Sequence, residues 1–170
     1  MMIKWIGGIL VIAACGGTGM LIAGEYRREL RDLRSLISVL DMMSCELSYH
    51  LTPLPELCRK SAAFGSGGVR GVLNDLSEAL GNQAYSDVCS AMSLVLDNRR
   101  SLSRRLRRML ERLGNCLGRF DLSGQLSGIA SVRELCAGEL SNLEQNRDQR
   151  IRSFQTLGLC AGAALVIIFI

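Results

Sequence analysis

Residues 25–51 read EYRRELRDLRSLISVLDMMSCELSYHL. The stretch holds no Gly or Pro, and its apolar residues Leu30, Leu33, Ile37, Leu40, Leu47 and Leu51 recur at spacings of three, four and seven. That period puts them on one face of an α-helix. Leu36, Val39 and Met43 widen the face, so the helix is expected to be covered on more than one side. Glu25, Arg28, Glu29, Arg31, Asp32 and Arg34 are interspersed on what reads as the solvated face.

Working outward, this helix is preceded by an almost wholly apolar stretch, Ile3 to Ala23, and the chain closes on another, Phe154 to Ile170. As helices at 1.5 Å per residue these measure ~31 Å and ~25 Å, one hydrocarbon thickness and the short edge of one. The expectation is a transmembrane helix over residues 1–24, a central domain over 25–152 and a second transmembrane helix over 153–170. Lys4 is placed to snorkel beside Trp5. Gly158 and Gly162 form a small-xxx-small pair suited to close helix contact in lipid. One alternative concerns Ile12-Ala13-Ala14-Cys15, which is similar to a lipoprotein cleavage site; the apolar run continues past Cys15 to Ala23, which such a site does not need. Arg27, Arg28, Arg31 and Arg34 follow the first segment, and Arg147, Arg150 and Arg152 precede the second. The positive-inside rule then puts the central domain in the cytoplasm and both termini outside.

The rest of the central segment reads as helices joined by short turns. Thr52 is a candidate N-cap with Pro53 at the first helical position, starting a second helix that runs to about Phe64. Gly65-Ser66-Gly67-Gly68 is a turn. Further helices are expected over Val69–Leu80, Gln83–Leu96, Arg99–Leu117, and from Asp121 to Ile151. No stretch alternates like a strand. The fold class is all-α: a six-helix bundle flanked by an N-terminal and a C-terminal transmembrane helix.

Charge and chemistry narrow the function. All 16 acidic residues lie between Glu25 and Asp148, and 19 of 20 basic residues between Arg27 and Arg152, so the central segment carries a net charge of only +3. That balance does not demand a nucleic acid. Seven cysteines show no C-x-x-C pair and read as reduced, mostly apolar positions. His50 is the only histidine, which excludes a multi-histidine metal site. The glycine turn lacks the Lys-Ser/Thr of a phosphate-binding loop. No catalytic residue, cofactor or metal is therefore expected, and the chain does not read as an enzyme.

The strongest local signal is the arginine run from Arg99 to Arg112, whose candidate partner-binding residues are Arg100, Arg104, Arg105, Arg107, Arg108 and Arg112. A solvated helix face and a docking face for an acidic protein both fit it. Contact with anionic lipid or nucleic acid is the alternative, although the run contains no aromatic residue on which a base would stack.

At Glu46-Leu47-Ser48-Tyr49-His50-Leu51-Thr52-Pro53-Leu54-Pro55-Glu56 the sequence resembles the stage III sporulation protein AB family of endospore-forming bacteria. The matching positions are Glu46, Tyr49, Thr52, Pro53, Leu54 and Glu56. The paired Leu-Gly of Leu113-Gly114 and Leu117-Gly118, followed by Asp121 and Gln125, is similar to a second family stretch. Leu157-Gly158 with Ala161-Gly162 is similar to the closing membrane helix. The glycine run near the N-terminus and the arginine-dense fifth helix look particular to this sequence.

The resemblance implies a fold like the cytoplasmic domain of the type II secretion inner-membrane platform protein. It implies a non-enzymatic role in the channel complex assembled by the mother cell around the engulfed forespore, in the surrounding membrane. The implied partners are the secretion-type ATPase known as stage III sporulation protein AA, other membrane proteins of that complex, and membrane lipid. No nucleic acid partner is implied. The corner from Tyr49 to Glu56 is expected to be structural, with Tyr49 packed at the helix end and Thr52 capping the next helix.

Overall fold

The structure is a computed structural model. It describes the backbone of residues 2–82, 87–118 and 121–169, and the side chains of residues 24–82, 87–118 and 121–145. Six α-helices follow one another: α1 (Met2–His50), α2 (Leu54–Ala62), α3 (Gly67–Gly81), α4 (Val88–Asn98), α5 (Arg104–Cys116) and α6 (Leu122–Phe169). There is no strand among the described residues. The flanking helices expected at the two ends are not separate elements, because α1 and α6 each continue through them. Among the described residues no helix is long and apolar enough to cross a membrane. The two expected spans, the Lys4–Trp5 anchor, the Cys15 alternative and the Gly158–Gly162 pair lie outside the residues whose side chains are described.

The chain divides into two units, Met1–Arg28 with Ser141–Ile170, and Glu29–Leu140. In the first, the Tyr26 hydroxyl donates a hydrogen bond to the Leu143 backbone carbonyl, joining α1 to α6. The second unit contains the bundle. There α2 packs on α3, α3 on α4 and α4 on α5. Its core is aliphatic: Leu33, Leu36, Leu40 and Met43 of α1, Leu57 of α2, Leu73 and Leu76 of α3, and Leu96, Leu106, Leu110 and Leu113 farther along are completely buried. The breadth of the α1 face predicted from Leu36, Val39 and Met43 is present, since all three have no solvent exposure. Ile129, Val132 and Cys136 contribute from α6 at helical spacing.

Two residues of α1 depart from the pattern. Asp32, expected on the solvated face, is buried, and so is Ser35. Both lie beside the start of α3. The Ser66 backbone N–H donates to Ser35 Oγ at 2.7 Å. Asp32 Oδ1 lies 3.1 Å from where a side chain on Gly67 would begin. A buried carboxylate at a helix N-terminus is favoured by the helix dipole. Gly67 has φ +54°, a conformation that disfavours any side chain, so the glycine turn is required as well as permissive.

Leu51 is the second departure. It belongs to the apolar stripe by spacing, yet it is 69 % exposed and adopts φ +47°. The helix has ended one residue earlier, and Leu51 turns the chain in the left-handed conformation that glycine normally takes after a helix. Helical spacing does not reveal this, because it presumes that the helix continues.

The helix boundaries shift for identifiable reasons. Asp87 Oδ1 accepts from Ser90 N at 3.3 Å, so α4 begins at Val88 and not at Gln83, which lies outside the described residues. Ser103 Oγ accepts from Leu106 N at 3.2 Å, so α5 begins at Arg104, five residues after the expected start at Arg99. Asp121 Oδ1 accepts from Gly124 N at 3.1 Å at the start of α6. Side-chain caps of this kind are strong helix starters. Arg70 closes the α2–α3 turn, its guanidinium donating to the Ala62 and Ala63 carbonyls, each at 3.2 Å. The Ala62 carbonyl also accepts from the Gly65 N–H at 3.1 Å, so Arg70 adds a second donor to the end of α2.

Gly118 sits at φ +76°, and a Cβ there would lie 2.9 Å from Val88 Cγ2 and 3.1 Å from Leu54 Cδ1. Gly118→Ala should therefore lower unfolding free energy by about 2 kcal/mol, from the left-handed backbone and the overlap together. Leu51→Gly should act in the opposite direction, raising it by about 0.5–1 kcal/mol by relieving the same backbone conformation at an exposed site. Urea unfolding of the full chain in mild detergent, followed by circular dichroism, measures both.

Candidate functional site

Two regions concentrate the polar chemistry: the corner between α1 and α2, and helix α5 with the loop before it. The corner is built on Glu46, which is buried near the end of α1. The Thr52 hydroxyl donates to Glu46 Oε2 at 2.7 Å, and Lys60 Nζ lies 3.3 Å from the same oxygen. Lys60 also reaches Glu56 Oε1, 3.6 Å away and one helical turn earlier. One carboxylate of α1 thus holds both the loop and the second helix. These hydrogen bonds, the one from Thr52 foremost, hold the Glu46 carboxyl below its ordinary value of 4.5. A carboxylate accepting hydrogen bonds in its charged form is harder to protonate.

This geometry corrects two expectations. Thr52 does not cap α2. The N-cap is Pro53, which offers no side-chain hydrogen bond, and Pro55 falls in the first turn. The Thr52 hydroxyl goes to the ionised Glu46 instead, because a charge-assisted hydrogen bond outweighs a neutral cap. Tyr49 does not pack at the helix end either, being 80 % exposed. Glu46 lies only three residues earlier on the same side of the helix, and Tyr49 is exposed with Ser48 and His50 in the last turn of α1, beyond the buried stretch that ends at Leu47. Leu54 does pack, against the place Gly118 leaves free, so the two stretches that carry the family resemblance meet in space. Gly114 allows a similar approach: a Cβ there would lie 2.8 Å from Met92 Cβ of α4.

The arginine run separates into two sets. Arg99, in the loop before α5, crosses Gly71 of α3 and pairs with Asp75 through two hydrogen bonds, of 2.6 and 3.0 Å. Arg107 donates to Asp97, to Glu111 at 3.1 Å and to the Leu96 carbonyl at 3.2 Å, tying α5 to the end of α4. Arg105 lies 3.6 Å from Glu139 of α6 and 4.0 Å from Glu29 of α1. These three hold the bundle together. Arg100, Arg104, Arg108 and Arg112 are exposed and pair with no carboxylate among the described residues. The acidic partners Asp75 and Glu139 lie too far along the chain to be found by spacing. Glu111 and Lys60 are each four residues from their helical partners, so those two pairs are within reach of pattern reading.

Burial raises the Cys58 thiol to about 12, and burial followed by the Glu139 carboxylate raises Cys136 to about 11. Such thiols stay protonated and unreactive near neutrality. Among the described residues no group of three His, Cys, Asp or Glu side chains is arranged to hold a metal.

Fold and site together define a class: an all-α protein of six helices, the first and last of them long, whose distinguishing chemistry is an arginine-rich surface helix and a locked helix corner. Comparison with known proteins places it more narrowly. The sequence profile of the family described as Stage III sporulation protein AB matches residues 4–170. The chain belongs to that family and is a sporulation protein. It is similar to Stage III sporulation protein AB of Bacillus subtilis (strain 168), at 24 % identity over 98 % of this chain and 99 % of the relative. A solved structure of a Stage III sporulation protein AB has the same fold, with a TM-score of 0.64 at 21 % identity, over 72 % of this chain and 98 % of that one.

The Glu46 network has a definite pH signature. Its folded-state carboxyl lies below the ordinary value of 4.5, so the network stabilises the fold fully above that value and loses its contribution as pH falls through the folded one. Thr52→Val should move the Glu46 carboxyl upward and make stability less dependent on pH on the acid side of 4.5. Carboxyl-carbon NMR titration of Glu46, together with urea midpoints across that range, checks the direction.

Proposed function

We propose that this protein is a non-enzymatic membrane platform component of the channel complex between mother cell and forespore, and that it docks a secretion-type ATPase of the stage III sporulation protein AA kind. The observation that carries this reading is the family match over residues 4–170, which takes in both apolar ends as well as the bundle. In this reading residues 1–24 and 153–170 are membrane spans, and the intervening domain lies in the mother-cell cytoplasm. The arginines that follow the first apolar stretch and precede the second support that orientation. Other membrane proteins of the complex pack against the spans, and lipid surrounds them.

A platform has to pass position or force from a soluble motor to parts within the membrane. Unbroken helix suits that task, since a helix transmits displacement along its axis where a flexible linker absorbs it. Helix α1 runs from Met2 to His50 and α6 from Leu122 to Phe169, each without a break. The absence of Gly and Pro from residues 25–51 supports stiffness where the first helix meets the bundle.

Inserting Gly-Gly after Glu25 should abolish formation of heat-resistant spores in an endospore-forming host that lacks its own copy. Inserting Ala-Ala at the same point shifts the helix by the same angle but keeps it stiff, and should retain substantial sporulation. Heat-resistant spore counts, with immunoblots for protein level, compare the two. Equal sporulation with both insertions would remove stiff coupling from the mechanism.

A further inference from the structure

We infer that Arg104, Arg108 and Arg112, with Arg100 ahead of them, form a docking strip for an acidic helix of a protein partner. The strip sharpens the docking role proposed above.

The bundle itself uses Arg99, Arg105 and Arg107, as their carboxylate partners show. It leaves exposed and unpaired, among the described residues, those that recur every fourth position along α5. Residues four apart lie in one row on a helix, with ~6 Å between successive positions and ~12 Å from Arg104 to Arg112. The placement is locally unfavourable. The first turn of α5 contains no acidic residue and carries arginines at 104, 105 and 107, against the positive end of the helix dipole. A negative partner relieves both the dipole conflict and the repulsion within the row.

The surroundings decide what kind of anion fits. The row is narrow, and carboxylates flank it. Asp97 is 70 % and Glu111 43 % exposed at the side chain, both beside Arg107. A membrane surface or a polyanionic strand presents negative charge broadly and would meet these carboxylates as well as the arginines. A single line of glutamates or aspartates meets the arginines and avoids them. An α-helix with acidic residues four apart repeats at the same ~6 Å, which matches the row in pitch as well as sign. Arginine suits such a partner because its planar guanidinium can hold a carboxylate through two hydrogen bonds.

The test uses the full chain in neutral detergent and a fluorescein-labelled helical peptide of four Glu-Ala-Ala-Ala repeats. The same composition in scrambled order serves as control. Fluorescence anisotropy at low salt should show binding of the repeat peptide, with the scrambled peptide weaker. Replacing Arg104, Arg108 and Arg112 together by Gln should weaken binding by about ten-fold, the size expected from three exposed charge pairs. Replacing Arg105 and Arg107 by Gln should leave binding within about three-fold while lowering thermal stability, since those two act inside the bundle. No binding of the repeat peptide, equal binding of the scrambled one, or equal loss in both variants would overturn the strip. So would retention by phosphatidylglycerol nanodiscs that depends on the row while the peptide does not bind. Because the probe is not the ATPase, failure here leaves the platform role standing, and failure of the insertion test leaves the strip standing.

Discussion

The bundle depends on one constraint: the middle of α1 must be covered on more than one side. Leu33, Leu36, Val39, Leu40 and Met43 are all without solvent exposure, which no single neighbouring helix could achieve. A wide apolar face is non-directional, however, and by itself leaves the surrounding helices free to slide. Polar groups embedded in that face supply the direction. Ser35 accepts the Ser66 N–H, and Asp32 stands beside Gly67, so the α2–α3 turn lands at one position. Glu46 receives Thr52 and Lys60, so the α1–α2 corner lands at another. Ser35 and Glu46 are buried polar groups that accept hydrogen bonds from these loops, and a misplaced loop would leave them desolvated without those hydrogen bonds.

The same logic extends to the arginines. A run of basic residues on one helix invites a single explanation, yet the structure divides the work. Arg99 fastens the loop before α5 to α3 through Asp75, and Arg107 fastens α5 to the end of α4. These contacts occupy the positions that face neighbouring helices. The intervening positions of the period are left to whatever lies outside the bundle. Helical geometry thus lets one dense stretch hold the bundle together through some of its arginines while the four-residue row remains on the surface. The pairs are partly exposed, and each adds on the order of 0–1 kcal/mol. Their greater effect is on register, since Arg99 fits only across the bare backbone of Gly71.

The family relationship is spread along the chain in the same distributed way. Leu54, in its most specific stretch, and Gly118, in its Leu-Gly pair, are 64 residues apart in sequence, yet Leu54 packs where Gly118 has no side chain. Two motifs that look weak separately are one packing unit. Tyr49 and Leu51 remain outside it, exposed at the corner.

The helical class, the six elements and most of the core were written in the sequence. A 3.6-residue period survives any tertiary arrangement as long as one face is buried, which is why Leu30 to Leu47 could be read directly. The caps Asp87, Ser103 and Asp121 are also local signals, and they mark the starts of α4, α5 and α6. What tertiary structure alone decided were the outcomes of competition between partners distant in sequence. Thr52 could have capped its own helix but found an ionised Glu46. Asp32 could have faced water but found the start of α3. Arg99 could have joined α5 but found Asp75. For Thr52 and Arg99 the non-local partner is a carboxylate, and only packing brings it within hydrogen-bond reach. The chain's periodicity fixes which residues are inside; the fold decides what the polar ones among them hold.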